Sequence, residues 1–346
     1  MKYSKKQISK AGEKILTSKS DKEIEEALNI INNWRSNHLH PLVVLKNNLL
    51  RLLKKNKIEP SLVSQRLKRL SSIEYKLDLN PTMGLGGMQD IGGYRAVLKD
   101  VKDLKKLNDS LNSQKISHKL EKVVDYVKKP KHTGYRSIHF IYKYASKKEL
   151  YDGLKLELQI RTKLQHNWAT AVETAGIITK TSLKSNQGPD EWLDFFKIVS
   201  SLFAIKEKLP LLEEHQGLTM EELMVKCYNY CQELNILTKL KAIRVSTNKI
   251  ATDGFIGDYY LLNINIIEMH VNIQIFNKNQ FEYATNEYLK LEKTINENEN
   301  AVVLVSATSI KTLKKAYPSY FLDTSEFISA IEKMNSNCIK RNYVKL

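Results

Sequence analysis

The sequence predicts an α+β protein: a mixed β-sheet flanked by helices, with an N-terminal helical extension, a C-terminal helical linker and a small β-containing module. Three observations predict it. Apolar residues at helical spacing fill the first eighty positions, short alternating segments interleave with helical ones from about residue 90, and a second alternating group begins near Tyr259. The expected divisions are 1–60 for the N-terminal helical region, 61–180 for the sheet-bearing domain, 181–250 for the connector and 251–346 for the terminal module.

Near the N-terminus, Ser20 to Glu23 has the pattern of a capping box, and Ile24, Ala27, Leu28, Ile31 and Trp34 follow at helical intervals. Pro41 interrupts that helix. Leu42, Leu45, Leu49, Leu52 and Leu53 mark a second amphipathic run, and Val63, Leu67, Leu70, Ile73 and Leu77 mark a third after Pro60. This third helix is expected to turn Arg66, Lys68, Arg69 and Lys76 away from its apolar stripe.

Tyr94 to Leu98 reads as a strand, Val101 to Ser113 as a helix, and Ile116 to Tyr126 and Ser137 to Tyr144 as two further strands. Between the last two, Lys128 to Gly134 (KKPKHTG) has the composition of a loop. In LKLELQI, Leu154, Leu156, Leu158 and Ile160 alternate with Lys155, Glu157 and Gln159, which gives a strand with one apolar and one charged face. Thr162 to Ala175 then reads as a helix. After the polar break Lys184 to Asp190, helices extend to about Leu240. The terminal module is expected to hold the strands LLNINII and HVNIQIF, an acidic helix, a strand from Val302 to Ser306 and two short helices.

The 346 residues carry 55 Lys plus Arg against 38 Asp plus Glu, a formal net charge of +17. That balance favours polyanionic partners such as nucleotides and nucleic acid. The basic, polar N-terminus has no apolar core of the signal-peptide kind, no stretch is long enough to span a bilayer, and three cysteines make no disulfide framework. A cytoplasmic protein without membrane contact is expected. Cys227 and Cys231 share one face of a helical run with only His215 nearby, which suits a buried stripe better than a metal site.

Charge placement locates the chemistry. Asp90 precedes Ile91-Gly92-Gly93-Tyr94-Arg95, where two glycines allow a ligand to approach the backbone closely. Glu157 stands on the polar face of its strand with Gln159 and Arg161. If the two strands are neighbours, two carboxylates converge in a cleft rich in Arg and Lys, an arrangement suited to a divalent cation bridging polyphosphate oxygens. Surface ion pairing is the alternative that these residues leave open.

The segments RLKRLSSIEYKL (Arg66 to Leu77), DIGGYR (Asp90 to Arg95), DYVKKPKHTGYRSIHF (Asp125 to Phe140) and ELQIRT (Glu157 to Thr162), in this order, resemble the synthetase domain of the RelA/SpoT alarmone synthetase family. The resemblance implies a nucleotidyltransferase-like sheet and a magnesium-dependent pyrophosphokinase that moves the β,γ-diphosphate of ATP onto a ribose 3′-hydroxyl. It places Arg66 and Arg95 on either side of adenine, where planar guanidinium groups stack well. It puts Lys68 and Lys76 on the phosphate tail, Asp90 on the metal, and Glu157 on the metal and as the base for the attacking hydroxyl. Lys131, Tyr135, Arg136, His139, Gln159, Arg161 and Glu173 fall on the acceptor side, with Tyr135 stacking on the acceptor base. The family's hydrolase half needs a His-Asp pair in a long N-terminal helical domain. No His is followed by Asp here, so synthesis without hydrolysis is expected.

Members of this family use GDP or GTP as acceptor, or, as toxins, the 3′ CCA end of tRNA. In Trp168-Ala169-Thr170-Ala171-Val172-Glu173 one residue more than the usual spacing precedes Glu173, and one residue turns a helical side chain by about 100°, away from guanine. With the net charge, this points to tRNA. Tyr317-Pro318-Ser319-Tyr320 resembles the YxxY element of fused toxin–antitoxin proteins of the CapRel type. It implies a terminal module that blocks the ATP site through Tyr317 and Tyr320 until a phage protein binds it. The competing readings are a (p)ppGpp synthetase with a regulatory tail and a nucleotide-sensing protein without catalysis.

Overall fold

The computed structural model describes residues 2–179, 181–247, 257–265, 270–294, 300–306 and 324–344. Three helices open the chain: α1 (Lys5–Thr17), α2 (Asp21–Ser36) and α3 (Leu39–Lys55). The capping box belongs to α1, where the Ser4 backbone N–H donates to Gln7 Oε1 at 2.8 Å, and not to Ser20, whose side chain caps nothing. Glu23 is diverted instead: it accepts from the Ser18 hydroxyl at 2.7 Å and pairs with Lys14 at 3.0 Å.

The expected third helix is two elements. Leu62–Leu67 is a strand, β1, and only Leu70–Asp78 is helical, as α4. The spacing of Val63 and Leu67 fits a strand as well as a helix, and pairing along β2 (Gly92–Leu98), from Leu62 opposite Val97 to Leu67 opposite Gly92, decides the matter. Helix α5 (Val101–Ser113) follows, then strands β3 (Lys119–Asp125), β4 (Ile138–Lys143) and β5 (Lys155–Thr162).

Next come α6 (Lys163–Thr179), α7 (Asp190–Glu207), α8 (Met220–Glu233) and α9 (Ile236–Thr247). The remaining elements are β6 (Tyr259–Asn265), β7 (His270–Phe276), α10 (Phe281–Thr294), β8 (Asn300–Ser306) and α11 (Ser325–Lys340). Of the two short helices expected after β8, one, α11, falls among the described residues. Tyr317 and Tyr320 lie outside the described residues.

The eight strands of the described residues form one mixed sheet in the order β3-β4-β5-β2-β1-β8-β6-β7. The pair β2–β5 is parallel and the others are antiparallel. The terminal strands continue the sheet through β8, where Val305 stands opposite Arg66 of β1. One face of the first five strands carries Tyr94, Ala96, Phe140, Tyr142, Leu156 and Leu158, buried in a core with the N-terminal helices. A second core joins α6 to α9 with α11, whose Phe327 ring lies 5.9 Å from Phe196 and 6.1 Å from Phe203. The last helix therefore packs on the connector, away from the strands that precede it in sequence. Cys227, Cys231 and Cys338 are free thiols buried in this second core.

Candidate active site

The opposite face of the sheet holds the charges. Register places Arg66, Gly93 and Glu157 in one row across β1, β2 and β5, and Ser64, Arg95, Gln159 and His139 in the next, extending onto β4. Directly opposed residues share a face, so alternation in four strands projects these side chains into one cleft. Ser64, Arg66, Lys68, Asp90, Arg95, Glu157 and Gln159 line it. The two glycines divide their duties. A Cβ on Gly92 would press on Leu156 and His38 at 3.2 and 3.3 Å, whereas one on Gly93 would meet nothing closer than 3.9 Å, so Gly93 leaves the cleft floor open.

At one end, Asp90 joins two lysines. Lys68 Nζ lies 2.8 Å from Asp90 Oδ2, and Lys76 Nζ lies 2.8 Å from Oδ1. Lys68 sits in the turn after β1, and Lys76 sits two turns along α4, so the short β1–α4 connection delivers both to one carboxylate. Burial works to raise the Asp90 carboxyl, but the charges of Lys68 and Lys76 outweigh it and hold the group well below the usual carboxylate range. Burial pushes the Lys68 ammonium down, against the attraction of Asp90.

At the centre, Glu157 Oε1 accepts from Gln159 Nε2 at 2.5 Å, and Oε2 stands 3.5 Å from His139 Nδ1. Burial raises this carboxyl, yet its bond with His139 and the attraction of that ring bring it below the ordinary value. His139 Nε2 shares a hydrogen bond with the Tyr135 hydroxyl at 3.0 Å, which links Glu157 to the far end of the site. There Lys131 Nζ stands over the rings of Tyr126 and Tyr135, 4.9 and 5.5 Å from their centroids.

The loop that presents Tyr135 is anchored from below. Arg136, 3% exposed, donates to Ser200 Oγ at 3.1 Å and to the Val127 carbonyl at 3.4 Å, and burial lowers its guanidinium to about 10. Ser200 in turn donates to the Gly134 carbonyl at 2.6 Å. Gly134 has φ +91°, and a Cβ there would lie 2.9 Å from Ser200 Cβ, so both backbone and packing require glycine. Arg161 is also buried: it donates to His166 Nδ1 at 2.6 Å, and burial together with the Arg95 charge lowers it to about 9. Glu173, on α6, acts electrostatically on Arg161 and His166.

The structure thus gathers Arg66, Lys68, Lys76, Asp90, Arg95, Glu157 and Gln159 at the cleft, with His139, Tyr135 and Lys131 continuing it. Arg136 supports the loop that presents Tyr135 from beneath and is absent from the residues lining the cleft. Sequence reasoning missed Ser64 in the cleft and Ser200 under the loop. Ser200-Ser201, a hydroxyl pair inside the apolar run FFKIVSSLFAI, was the available signal, since a buried serine needs a partner.

Residues 65–184 match the family model of the region found in RelA / SpoT proteins. Apart from Ser64, the residues lining the cleft fall within this matched segment. Over 120 residues the chain is 35% identical to a probable chloroplastic GTP diphosphokinase, RSH3, of Arabidopsis thaliana, covering 33% of this chain and 15% of that relative. Among solved structures, a GTP pyrophosphokinase family protein from Streptococcus pneumoniae is 23% identical, over 55% of this chain and 94% of that one, with a TM-score of 0.42. The Bacillus subtilis small alarmone synthetase 1 bound to its product pppGpp is also 23% identical, over 54% and 94%, with a TM-score of 0.44. Among the described residues, no helix is long and apolar enough to cross a membrane. Nor does any group of three or more His, Cys, Asp or Glu among them make a metal cluster. The Asp90–Glu157 pair nevertheless suits magnesium, which needs only one or two carboxylates when substrate phosphates supply the rest.

Proposed function

We propose that this protein is a pyrophosphokinase that transfers the β,γ-diphosphate of ATP to the 3′-hydroxyl of a ribose, without hydrolase activity. The carrying observation is that Asp90 and Glu157 line one cleft with Arg66, Lys68 and Arg95 inside a RelA/SpoT region. Adenine would stack between Arg66 and Arg95. Lys68 and Lys76, held in place by Asp90, would exchange that carboxylate for the polyphosphate oxygens as ATP enters. Magnesium, held by Asp90 and Glu157, would neutralise and orient those oxygens. Glu157 takes the proton of the acceptor 3′-hydroxyl; the 3′-oxygen forms a bond to the β-phosphorus as the bridge to the α-phosphate breaks, and AMP leaves. Positioning and charge neutralisation carry such a transfer, so no covalent nucleophile is required.

The acceptor, on this reading, is the 3′ CCA end of tRNA. Support comes from the net charge of +17, from exposed Lys128, Lys129 and His132 beside Tyr135, and from Glu173, whose charge faces Arg161 and His166. Tyr135 would stack on the terminal base, with Lys131, His139, Gln159 and Arg161 around it. The second reading, GDP or GTP as acceptor, is favoured by the name of the Arabidopsis relative. We also propose that the protein is an autoinhibited translation-blocking toxin of phage defence, cytoplasmic and of the CapRel type. Tyr317 and Tyr320 would cover the donor end until a phage protein binds the terminal module. Support is the place where the chain leaves β8, next to Val305, which faces Arg66.

Incubating the protein with γ-labelled ATP and, separately, GDP, GTP and bulk tRNA tests this function. Label on tRNA is expected, most of it in the Tyr317→Ala/Tyr320→Ala variant, whose donor end is uncovered. Label on GDP or GTP alone would move the assignment to the second reading, and label on none of them, in the Tyr317→Ala/Tyr320→Ala variant as well, would overturn transfer.

A further inference from the structure

Arg35, at the end of α2, is fully buried, and its partner lies 257 positions away in α10. Its guanidinium donates to both oxygens of Glu292, at 2.5 and 3.1 Å, and to the Tyr288 hydroxyl at 2.5 Å. Tyr288 donates onward to Glu292 Oε1 at 2.7 Å. Besides a bond from Arg35 Nη1 to Asn32 Oδ1 at 3.0 Å within α2, the clasp has two bonds that end on the segment from Lys68 to Leu70. Arg35 Nε donates to the Lys68 carbonyl at 3.1 Å, and Glu292 Oε1 accepts from the Leu70 backbone N–H at 3.0 Å.

Leu70 is the first residue of α4, and the residue before it, Arg69, provides no side-chain cap. The first N–H groups of a helix have no intrahelical acceptor, and a carboxylate placed there satisfies one and complements the helix dipole. Glu292 therefore caps α4 from the other end of the chain. The capped segment carries both lysines that hold Asp90: Lys68 is in the connection, and Lys76 is on α4. Pairing of β8 with β1 at Arg66 brings the terminal module against the same segment.

We propose that Glu292 is a positioning residue of the donor site, acting through Arg35 and the Leu70 amide to set where Lys68 and Lys76 stand. The unit β6–β8 with α10 is then a working part of that site, and inhibition by the terminal module belongs to other residues of it. This inference rests on reading the cleft as the ATP site.

The test uses the full chain with Arg35→Met and Glu292→Met together, compared in the Tyr317→Ala/Tyr320→Ala background so that the donor end is uncovered. Replacing both members of a buried ion pair by apolar residues of similar length keeps the fold, whereas removing one strands a charge. Two readouts are taken: exchange of the Leu70 amide with deuterium, and calorimetric binding of magnesium ATP. Leu70 exchange is expected to rise about tenfold and ATP affinity to fall about tenfold, while the acceptor KM stays within about twofold. A folded double variant with wild-type exchange, or with faster exchange but unchanged ATP affinity, would overturn the proposal. Should the double variant fail to fold, Glu292→Gln decides by the same readouts, since an amide keeps the acceptor for Leu70 but loses the charge facing Arg35. About threefold changes are then expected, and none would overturn it. If the Tyr317→Ala/Tyr320→Ala protein binds no ATP, the functional reading falls, and Leu70 exchange alone still decides whether Glu292 holds the segment.

Discussion

At the end of the cleft proposed to take the donor, Lys68 and Lys76 face a carboxylate of their own chain, whereas at the end proposed for the acceptor Arg136 and Arg161 are held by a hydroxyl, a carbonyl and an imidazole. Under the proposed function the first arrangement is an exchange: the lysines keep their place until a polyphosphate takes over from Asp90. The second is a fixed scaffold. Its cations are buried, depressed in pKa and tied to α6 and α7, so they shape the loop that presents Tyr135 and Lys131. Charge near a site can therefore serve binding or building, and burial separates the two: Asp90 and Lys76 are reachable by a ligand, while Arg136 is sealed beneath its loop.

The largest effects are expected where the exchange is broken. Asp90→Asn should lower transfer by about a hundredfold or more, because it removes the carboxylate that positions both lysines and completes the magnesium pair. Glu157→Gln should fall as far, and wild-type turnover in a single-turnover assay would refute its role as base.

Acid should distinguish the two modes of holding charge. Asp90 lies far below its unfolded pKa, so its ion pairs survive mild acid and their stabilisation is lost only as pH falls through the depressed folded value. His38, pushed from 6.5 down to about 4 by burial, loses its contribution in the same direction but in a milder window. It is neutral in the folded protein, while the unfolded chain binds a proton below about 6.5. Stability is thus lost as pH falls from about 6.5 towards 4, by on the order of 3 kcal/mol from this group. Urea denaturation at pH 7 and pH 4.5 reads this directly, and equal midpoints would contradict it.

Smaller effects belong to the acceptor end. Tyr135→Ala should cost roughly 1–3 kcal/mol in acceptor binding and leave ATP affinity unchanged. A matched loss of ATP affinity would show that the two ends are not separable. Ser200→Ala removes the hydroxyl that joins Arg136 to the Gly134 carbonyl, and about 1–2 kcal/mol of stability should go with it. A rise in acceptor KM with unchanged KM for ATP would confirm that the scaffold serves only its own end.

Much of this was legible in the chain. The alternation in LKLELQI marks β5 and the polar face that bears Glu157, and the apolar spacing of Val101 to Ser113 marks α5. These are local signals, set by residues within one element. The β1 strand was misread because its apolar spacing satisfies two periods and only its neighbours choose between them. Arg35 and Glu292 were invisible for the same reason on a larger scale: neither has a local pattern, and their meaning arises when α2 and α10 meet over the β1–α4 connection. Arg35 did fall one turn after Ile31 on the buried stripe of α2, which is the trace that a buried guanidinium leaves in sequence.

The most direct test of the central claim is the identity of the nucleotide left behind. With the Tyr317→Ala/Tyr320→Ala variant, ATP, magnesium and the accepting RNA or nucleotide, chromatography of the reaction should show AMP formed in equal amount to the pyrophosphorylated acceptor, with no ADP, and no AMP once Asp90→Asn is added. ADP as the product, or AMP released with free pyrophosphate and no modified acceptor, would contradict transfer of the β,γ-diphosphate by this cleft.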